Sequence, residues 1–273
     1  MFIAEIGINH NGDLNIAKEL IRVSKECEVD VVKFQKRNVE TCVPQSERGI
    51  MRTTPWGEMT YLKYKHRIEF DKAQYDAIDF YCNQLNIKWT ASVWDIESFN
   101  FINNNYKVPF IKIPSACITD LKLLRHINLN FEDPIIMSIG MSSMKEIATA
   151  IDMLKDKDLT VLICNSSYPS VDYEIDLNTM KIIKDIFNVK VGYSGHEKDI
   201  LPTLMAKTLG AEVIERHVTL DRNMFGTDQK SSLSPIELKN LIVELKRVDV
   251  ILGNEEICVY ETEKKAMKKL RLS

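Results

Sequence analysis

The sequence predicts an α/β fold, a closed (β/α)8 TIM barrel. Three observations carry that prediction: eight short apolar runs, a helical stretch after most of them, and a length of 273 residues, close to the roughly 250 of one such barrel. The runs cover residues 2–8, 29–35, 87–93, 110–116, 134–140, 159–166, 190–196 and 213–219. Near-continuous hydrophobicity is what a parallel strand buried on both faces requires, and strands alternating with helices imply right-handed crossovers within one sheet. After the first run, Leu14, Ala17, Leu20, Ile21 and Ser24 share one face of a 3.6-residue period, with Lys18, Arg22 and Lys25 outside it. After the fifth, Ser143 and Glu146 form a capping box ahead of Ile147, Ala150 and Ile151. After the eighth, Ser234 and Pro235 start a helix through Leu238, Leu241, Ile242 and Leu245. One domain over residues 1–273 accommodates all of this.

Composition narrows the function classes. A net charge of −3 and a pI near 6.0 offer no footprint for nucleic acid or an anionic membrane surface. Six cysteines without a Cys-x-x-Cys pair fit reduced thiols better than a disulfide framework. The N-terminus runs straight into the first apolar run, and no run reaches the ~20 residues that span a bilayer, so the expectation is a soluble, cytoplasmic enzyme. Residues 36–70 read as one long irregular loop carrying Pro55, Trp56, Tyr61, Lys63, Tyr64, Lys65 and Arg67. Loops above about 15 residues in a compact domain are usually functional, which makes this segment a candidate lid.

In a barrel the carboxyl ends of all strands converge on one cavity, so the chemistry belongs to the tips of the runs. Alternation along a strand puts Glu215 and His217 on one face, Ser194 and His196 on the equivalent face of the neighbouring strand, and Arg216 toward the helices. Two imidazoles at one height offer two nitrogen ligands to a divalent cation, with a carboxylate or water completing the shell. Facing them are Lys33, Gln35 and Lys112. An ammonium inside a barrel costs several kcal/mol to desolvate unless it meets an anion. Two such lysines among Ser92, Ser115, Ser166 and Ser194 therefore describe a phosphate or carboxylate pocket, with pairing to Glu5 or Glu215 as the alternative. Gly140, Gly192 and Gly195 would let backbone approach a ligand closely.

The motifs match a known family in order over nearly the whole chain. Ala-Glu-Ile-Gly-Ile-Asn-His-Asn-Gly at 4–12, Lys-Phe-Gln at 33–35, Lys-Ile-Pro-Ser at 112–115, Gly-Met at 140–141, Ser-Ser-Tyr-Pro at 166–169, Gly-Tyr-Ser-Gly-His at 192–196, Glu-Arg-His at 215–217 and Gly-Thr-Asp at 226–228 together resemble the sialic acid synthase (N-acetylneuraminate synthase) family. The resemblance implies metal-dependent condensation of phosphoenolpyruvate with an N-acetylated hexosamine to give a nine-carbon 2-keto acid and phosphate. By resemblance, Lys33, Gln35, Ser92, Lys112, Ser115, Ser166 and Ser194 would hold phosphoenolpyruvate. His196 and His217 would hold a divalent metal, Mn2+ foremost with Mg2+ or Co2+ as alternatives. Tyr168, Glu215 and Asp228 would face the sugar, with Glu5, Glu215 and Asp228 as the catalytic carboxylates. A homodimer is implied too.

Two departures qualify the substrate. Cys117 stands where many relatives carry an acidic residue, so Glu5, Glu215 or Asp228 would take over its handling of water, or the substrate would differ; the thiol itself reads first as a small buried side chain filling space beside the fourth strand. The chain stops near residue 267–273, about where the family's small C-terminal antifreeze-like domain would begin, which weakens the case for N-acetylmannosamine itself. The alternatives are a sister synthase using another aldose, with Lys63, Lys65 and Arg67 as a second anion site, or a metal-dependent hydrolase, which would need no paired lysines. A catalytically weak partner subunit is a third.

Overall fold

The structure is a computed structural model describing residues 1–254 and 256–271, so Leu272 and Ser273 of the expected domain lie outside it. Its strands are β1 (Phe2–Gly7), β2 (Val31–Lys36), β3 (Met51–Thr54), β4 (Gly57–Thr60), β5 (Lys88–Val93), β6 (Ile111–Ile113), β7 (Ile135–Ser138), β8 (Leu159–Ile163), β9 (Lys190–Gly195) and β10 (Val213–His217). All but β3 and β4 pair in parallel into one closed barrel, in the order β1-β10-β9-β8-β7-β6-β5-β2. The barrel expectation is met.

Helices α1 (Leu14–Glu26), α2 (Val39–Cys42), α3 (Tyr61–Ile68), α4 (Lys72–Leu85), α5 (Ile96–Asn105), α6 (Leu121–Asn130), α7 (Met144–Met153), α8 (Thr179–Phe187), α9 (Leu201–Thr208), α10 (Pro235–Leu252) and α11 (Glu261–Leu270) complete the chain. Several crossover helices begin at a capping side chain. The Asp13 carboxylate accepts from the amides of Asn15 and Ile16, and Ser143 and Ser234 form capping boxes with Glu146 and Glu237. The apolar faces of the helices pack on the outside of the sheet as the main core.

Residues 36–70 are not irregular, as the sequence reading had them. They contain α2, the antiparallel hairpin β3–β4 and α3. The turn of the hairpin is short and its strands are largely exposed, so no buried face imposed the period-2 pattern that marks a strand in sequence.

Inside the barrel, Ile3, Val31, Phe110, Ile136, Leu162 and Val213 form a separate apolar plug. Side chains two residues further along a strand lie on the same face, one layer nearer the carboxyl ends. That step leads from the plug to Glu5, Lys33, Lys112, Ser138, Cys164 and Glu215. A polar layer thus rests on an oily floor. Among the described residues, no helix is long and apolar enough to cross a membrane.

Candidate active site

The polar layer lines a cleft whose empty volume, including its opening to solvent, is about 640 Å3. It brings together Glu5, Lys33, Gln35, Ser92, Lys112, Ser115, Ser166, Tyr168, Ser194, His196, Glu215 and His217, the expected site residues apart from Asp228. Asp228 sits at its edge, its Oδ2 3.9 Å from His217 Nδ1. Six further residues line the cleft that the sequence reading does not assign to the site: Trp94, Pro114, Ala116, Ser138, Met141 and Cys164. Ser138 is the polar residue at the tip of the fifth run, and Cys164 stands two residues after the plug residue Leu162, the alternation that marks this layer.

The lysines are buried and paired within the protein. Lys33 Nζ lies 2.5 Å from Glu5 Oε2 and 3.6 Å from Glu215 Oε2, and donates to Ser92 Oγ at 2.7 Å. Lys112 Nζ lies 3.6 Å from Glu215 Oε1 and donates to Ser138 Oγ at 2.7 Å. The carboxylate pairing left open as the alternative in the sequence is present. Two lysines, Glu5 and Glu215 form one buried charge cluster, with Ser194 Oγ donating to Glu215 at 3.0 Å and Gln35 Nε2 to Glu5 at 3.0 Å.

The two carboxylates do not titrate alike. Burial raises Glu5 to about 7, against the pull of Lys33 and with help from the like charge of Glu215. Burial acts on Glu215 as well, but Lys112 and Lys33 outweigh it and hold Glu215 down at about 2. One carboxylate stays ionised while the other sits near neutrality, the arrangement that separates an electrostatic partner from an acid–base group. Burial lowers Lys112 against the pull of Glu215, whereas for Lys33 the attraction of Glu215 and Glu5 prevails over burial and raises it.

Across the cleft, the rings of His196 and His217 stand 5.4 Å apart between centroids, and Tyr168 lies over His196 at 4.1 Å. His196 Nδ1 is 2.5 Å from the Asn165 carbonyl. A carbonyl only accepts, so Nδ1 carries the proton and Nε2 keeps its lone pair. Burial, then the neighbouring His217, lowers His196 to about 4, and burial also lowers His217. His217 Nδ1 is buried without a hydrogen-bond partner. Two neutral imidazoles, one with its second nitrogen anchored on a backbone carbonyl, fit a divalent cation. Among the described residues no third His, Cys, Asp or Glu groups with them as a protein-only cage.

One expectation changes and one, the packing reading of Cys117, is met. A Cβ on Gly140 would meet Ser166 Oγ at 2.5 Å and Cys164 Sγ at 2.7 Å, so this glycine makes room for cleft side chains, where the sequence reading had backbone approaching a ligand. Cys117 does not line the cleft. It is 5% exposed within the outer core, and its Sγ donates to the Trp94 carbonyl at 3.5 Å. Burial, followed by the charges of Asp120 and Asp95, pushes its thiol up to about 12. Cys117→Ala is therefore expected to keep full turnover and to lower stability by on the order of 1 kcal/mol, read as a small drop in melting temperature. Loss of activity in a folded Cys117→Ala enzyme would give the thiol a chemical role instead.

Comparison with known proteins bears on what this cleft belongs to. Residues 20–257 match the NeuB family. The chain belongs to the NeuB family. It is 35% identical to the N,N'-diacetyllegionaminic acid synthase of Campylobacter jejuni, over all of this chain and 83% of that protein. It is also 35% identical to the human N-acetylneuraminate-9-phosphate synthase, over 92% of this chain and 71% of that one. Among solved structures, the N-acetylneuraminic acid synthetase of Leptospira borgpetersenii superposes with a TM-score of 0.86 at 29% identity, covering 98% of this chain and 90% of that one. This NeuB-family chain is thus an enzyme of the sugar-acid synthase kind, as the motifs implied.

Proposed function

We propose that the enzyme joins C3 of phosphoenolpyruvate to the carbonyl carbon of an N-acetylated hexosamine or a derivative, giving a nonulosonate-type 2-keto acid and phosphate. The observation that carries this reading is the cleft itself: two buried lysines on one side, two neutral imidazoles on the other. Lys33 and Lys112, steered by Ser92 and Ser138, take the phosphate and carboxylate of phosphoenolpyruvate as fixed positive charge, which orients the anion without solvent reorganisation. Ser115 and Ser166 add hydroxyl donors beside them. His196 and His217 would hold a divalent cation, Mn2+ in the first instance, which would supply Lewis-acid polarisation of the aldose carbonyl.

The remaining steps belong to side chains. Attack by C3 leaves C2 electron-poor, water adds there, and phosphate departs with C–O cleavage. Glu5, titrating near neutrality, accepts the proton of the adding water. Glu215, held ionised between both lysines, faces the positive charge that develops at C2. Asp228 and Tyr168 border the same space and contact the sugar. A homodimer belongs to this reading through the family resemblance, and a cytoplasmic location through the N-terminal sequence and the lack of a bilayer-length apolar run.

The test measures phosphate release from phosphoenolpyruvate across a panel of aldoses, with and without divalent metal, and identifies the product by mass. Release that needs both aldose and metal is the expected result. Release without aldose would mark a hydrolase, a class that has no use for the lysine pair.

A second reading, a phosphorylated aldose, is favoured by Lys65. Of the three lid cations Lys63, Lys65 and Arg67, only Lys65 is buried, at 8% exposure. It lies over the Tyr61 and Tyr64 rings at 5.2 and 5.8 Å. Burial, then the neighbouring Arg37, lowers it to about 8, with Asp228 and Glu69 opposing. Below about pH 8 it is therefore charged and binds a terminal phosphate, and above that pH the attraction fades. Lys65→Met is expected to raise KM for a phosphorylated aldose by roughly ten- to hundredfold below pH 8, the effect of losing a charged hydrogen bond of about 1.5–3 kcal/mol. An equal change with the unphosphorylated sugar would remove this reading.

A further inference from the structure

Glu197 and Arg216 immediately follow and precede the two histidines in sequence, yet neither faces the cleft. Both are buried behind the barrel wall, Glu197 at 2% and Arg216 at 0% exposure. Arg216 Nη1 lies 2.7 Å from Glu197 Oε1 and donates to Thr203 Oγ1 at 2.7 Å and to the Asp199 carbonyl at 2.9 Å. Its Nη2 donates to the Glu197 carbonyl at 2.6 Å. The Glu197 carboxylate accepts in turn from Tyr193 Oη and Thr203 Oγ1, each at 2.8 Å. One guanidinium thereby ties the end of β10, the chain leaving β9 and the first turn of α9.

The clasp sits where the sheet stops doing that job. The β9–β10 ladder ends at the pair Arg216 and Gly195, so His196 lies beyond the last registered residue. His196 and His217 are not themselves a registered pair of that ladder. What holds the segment carrying His196 is the clasp, together with the Asn165 carbonyl on His196 Nδ1 and the Ser170 amide donating to the His196 carbonyl at 3.1 Å. Gly195 belongs to the same device: a Cβ there would meet Glu197 Oε2 at 2.4 Å and Tyr193 Cε1 at 2.7 Å. Its lack of a side chain serves the carboxylate behind the sheet, where the sequence reading had it serving a ligand.

A buried ion pair is an inefficient way to obtain stability, since well-packed apolar residues of similar volume often do as well or better. Its distinctive property is directional: a forked donor reaching two backbone carbonyls fixes positions that packing leaves loose. We propose that the Glu197–Arg216 clasp is a positioning device that sets the spacing of His196 and His217, and with it the affinity of the site for a divalent cation. This rests on the proposal that the two histidines hold the metal.

The experiment titrates Mn2+ into metal-free full-length protein and reads free Mn2+ by electron paramagnetic resonance, with phosphoenolpyruvate affinity measured separately in the absence of metal. Glu197→Gln is expected to weaken Mn2+ binding by roughly ten- to hundredfold, the usual effect of removing groups that orient metal ligands, while phosphoenolpyruvate affinity and the circular dichroism spectrum stay as in the wild type. Arg216→Lys, which keeps the charge but loses the fork, is expected to fall between. Wild-type Mn2+ affinity in folded Glu197→Gln would overturn the proposal, as would a parallel loss of phosphoenolpyruvate affinity, the mark of general loosening. Should Glu197→Gln fail to fold, Tyr193→Phe and Thr203→Val each remove one bond to the carboxylate, and unchanged Mn2+ affinity in both would overturn it equally. Wild-type protein that takes up no Mn2+ sinks the metal reading itself and this inference with it, whereas unchanged variants beside a binding wild type sink the inference alone.

Discussion

His217→Ala is expected to abolish metal-dependent turnover in a protein that still folds. His217 is the last residue of β10, and its ring lies above the apolar plug, outside the contacts that hold the barrel together. Mouth residues of a barrel contribute chemistry and little core energy, so far-ultraviolet circular dichroism and melting temperature should stay near those of the wild type. Removing one of two protein nitrogens leaves a single imidazole, too few for a stable site when, among the described residues, no third side chain is grouped with the pair. The expected outcome is turnover at background and no protection of the protein by Mn2+ against thermal unfolding. Full activity in His217→Ala, or wild-type activity that ignores a chelator, would end the metal proposal. His196→Ala should behave in the same way, with a further consequence: the Asn165 carbonyl loses the donor it now receives from Nδ1.

Lys112→Ala is expected to raise KM for phosphoenolpyruvate and to lower kcat together. A charge-assisted bond from a buried ammonium to an anion contributes about 1.5–3 kcal/mol, which corresponds to roughly a ten- to hundredfold change. The loss reaches further because Lys112 is one of two cations that keep Glu215 ionised. Without it, burial acts on Glu215 with less opposition and its pKa rises from about 2. The sign for stability follows. A carboxylate whose folded pKa is depressed contributes stability above its unfolded pKa of about 4.3, and that contribution disappears as pH falls through the folded value. In the wild type the contribution persists into strong acid. In Lys112→Ala it should fade at a higher pH, so the variant unfolds sooner on acidification. Guanidinium denaturation of both proteins between pH 3 and 7 measures this, and identical pH profiles would show that Lys112 does not control Glu215. If only the aldose KM moved, Lys112 would belong to the sugar's side of the cleft.

Much of this molecule was legible in the order of its residues, because the controlling interactions are short-ranged. Two-sided burial demanded apolar runs, period-2 alternation placed Glu215 and His217 on the face opposite Arg216, and capping residues such as Ser143 and Ser234 marked helix starts. The same alternation, read from Leu162, also places Cys164 in that layer. Other properties arise only when the barrel closes. Glu5, Lys33, Lys112 and Glu215 are far apart in sequence, and their mutual pairing, with one carboxylate raised and the other depressed, exists because closure stacks four charges on one apolar floor. The hairpin β3–β4 escaped notice because its exposed strands impose no hydrophobic period. Whether Cys117 faced the cleft or the core, and whether Gly195 made room for a ligand or for Glu197, turned on which side of the wall each side chain occupies. Cys117 lies beyond the end of β6 and Gly195 is the last registered residue of β9, so strand alternation gives little guidance at either position, and tertiary packing decides.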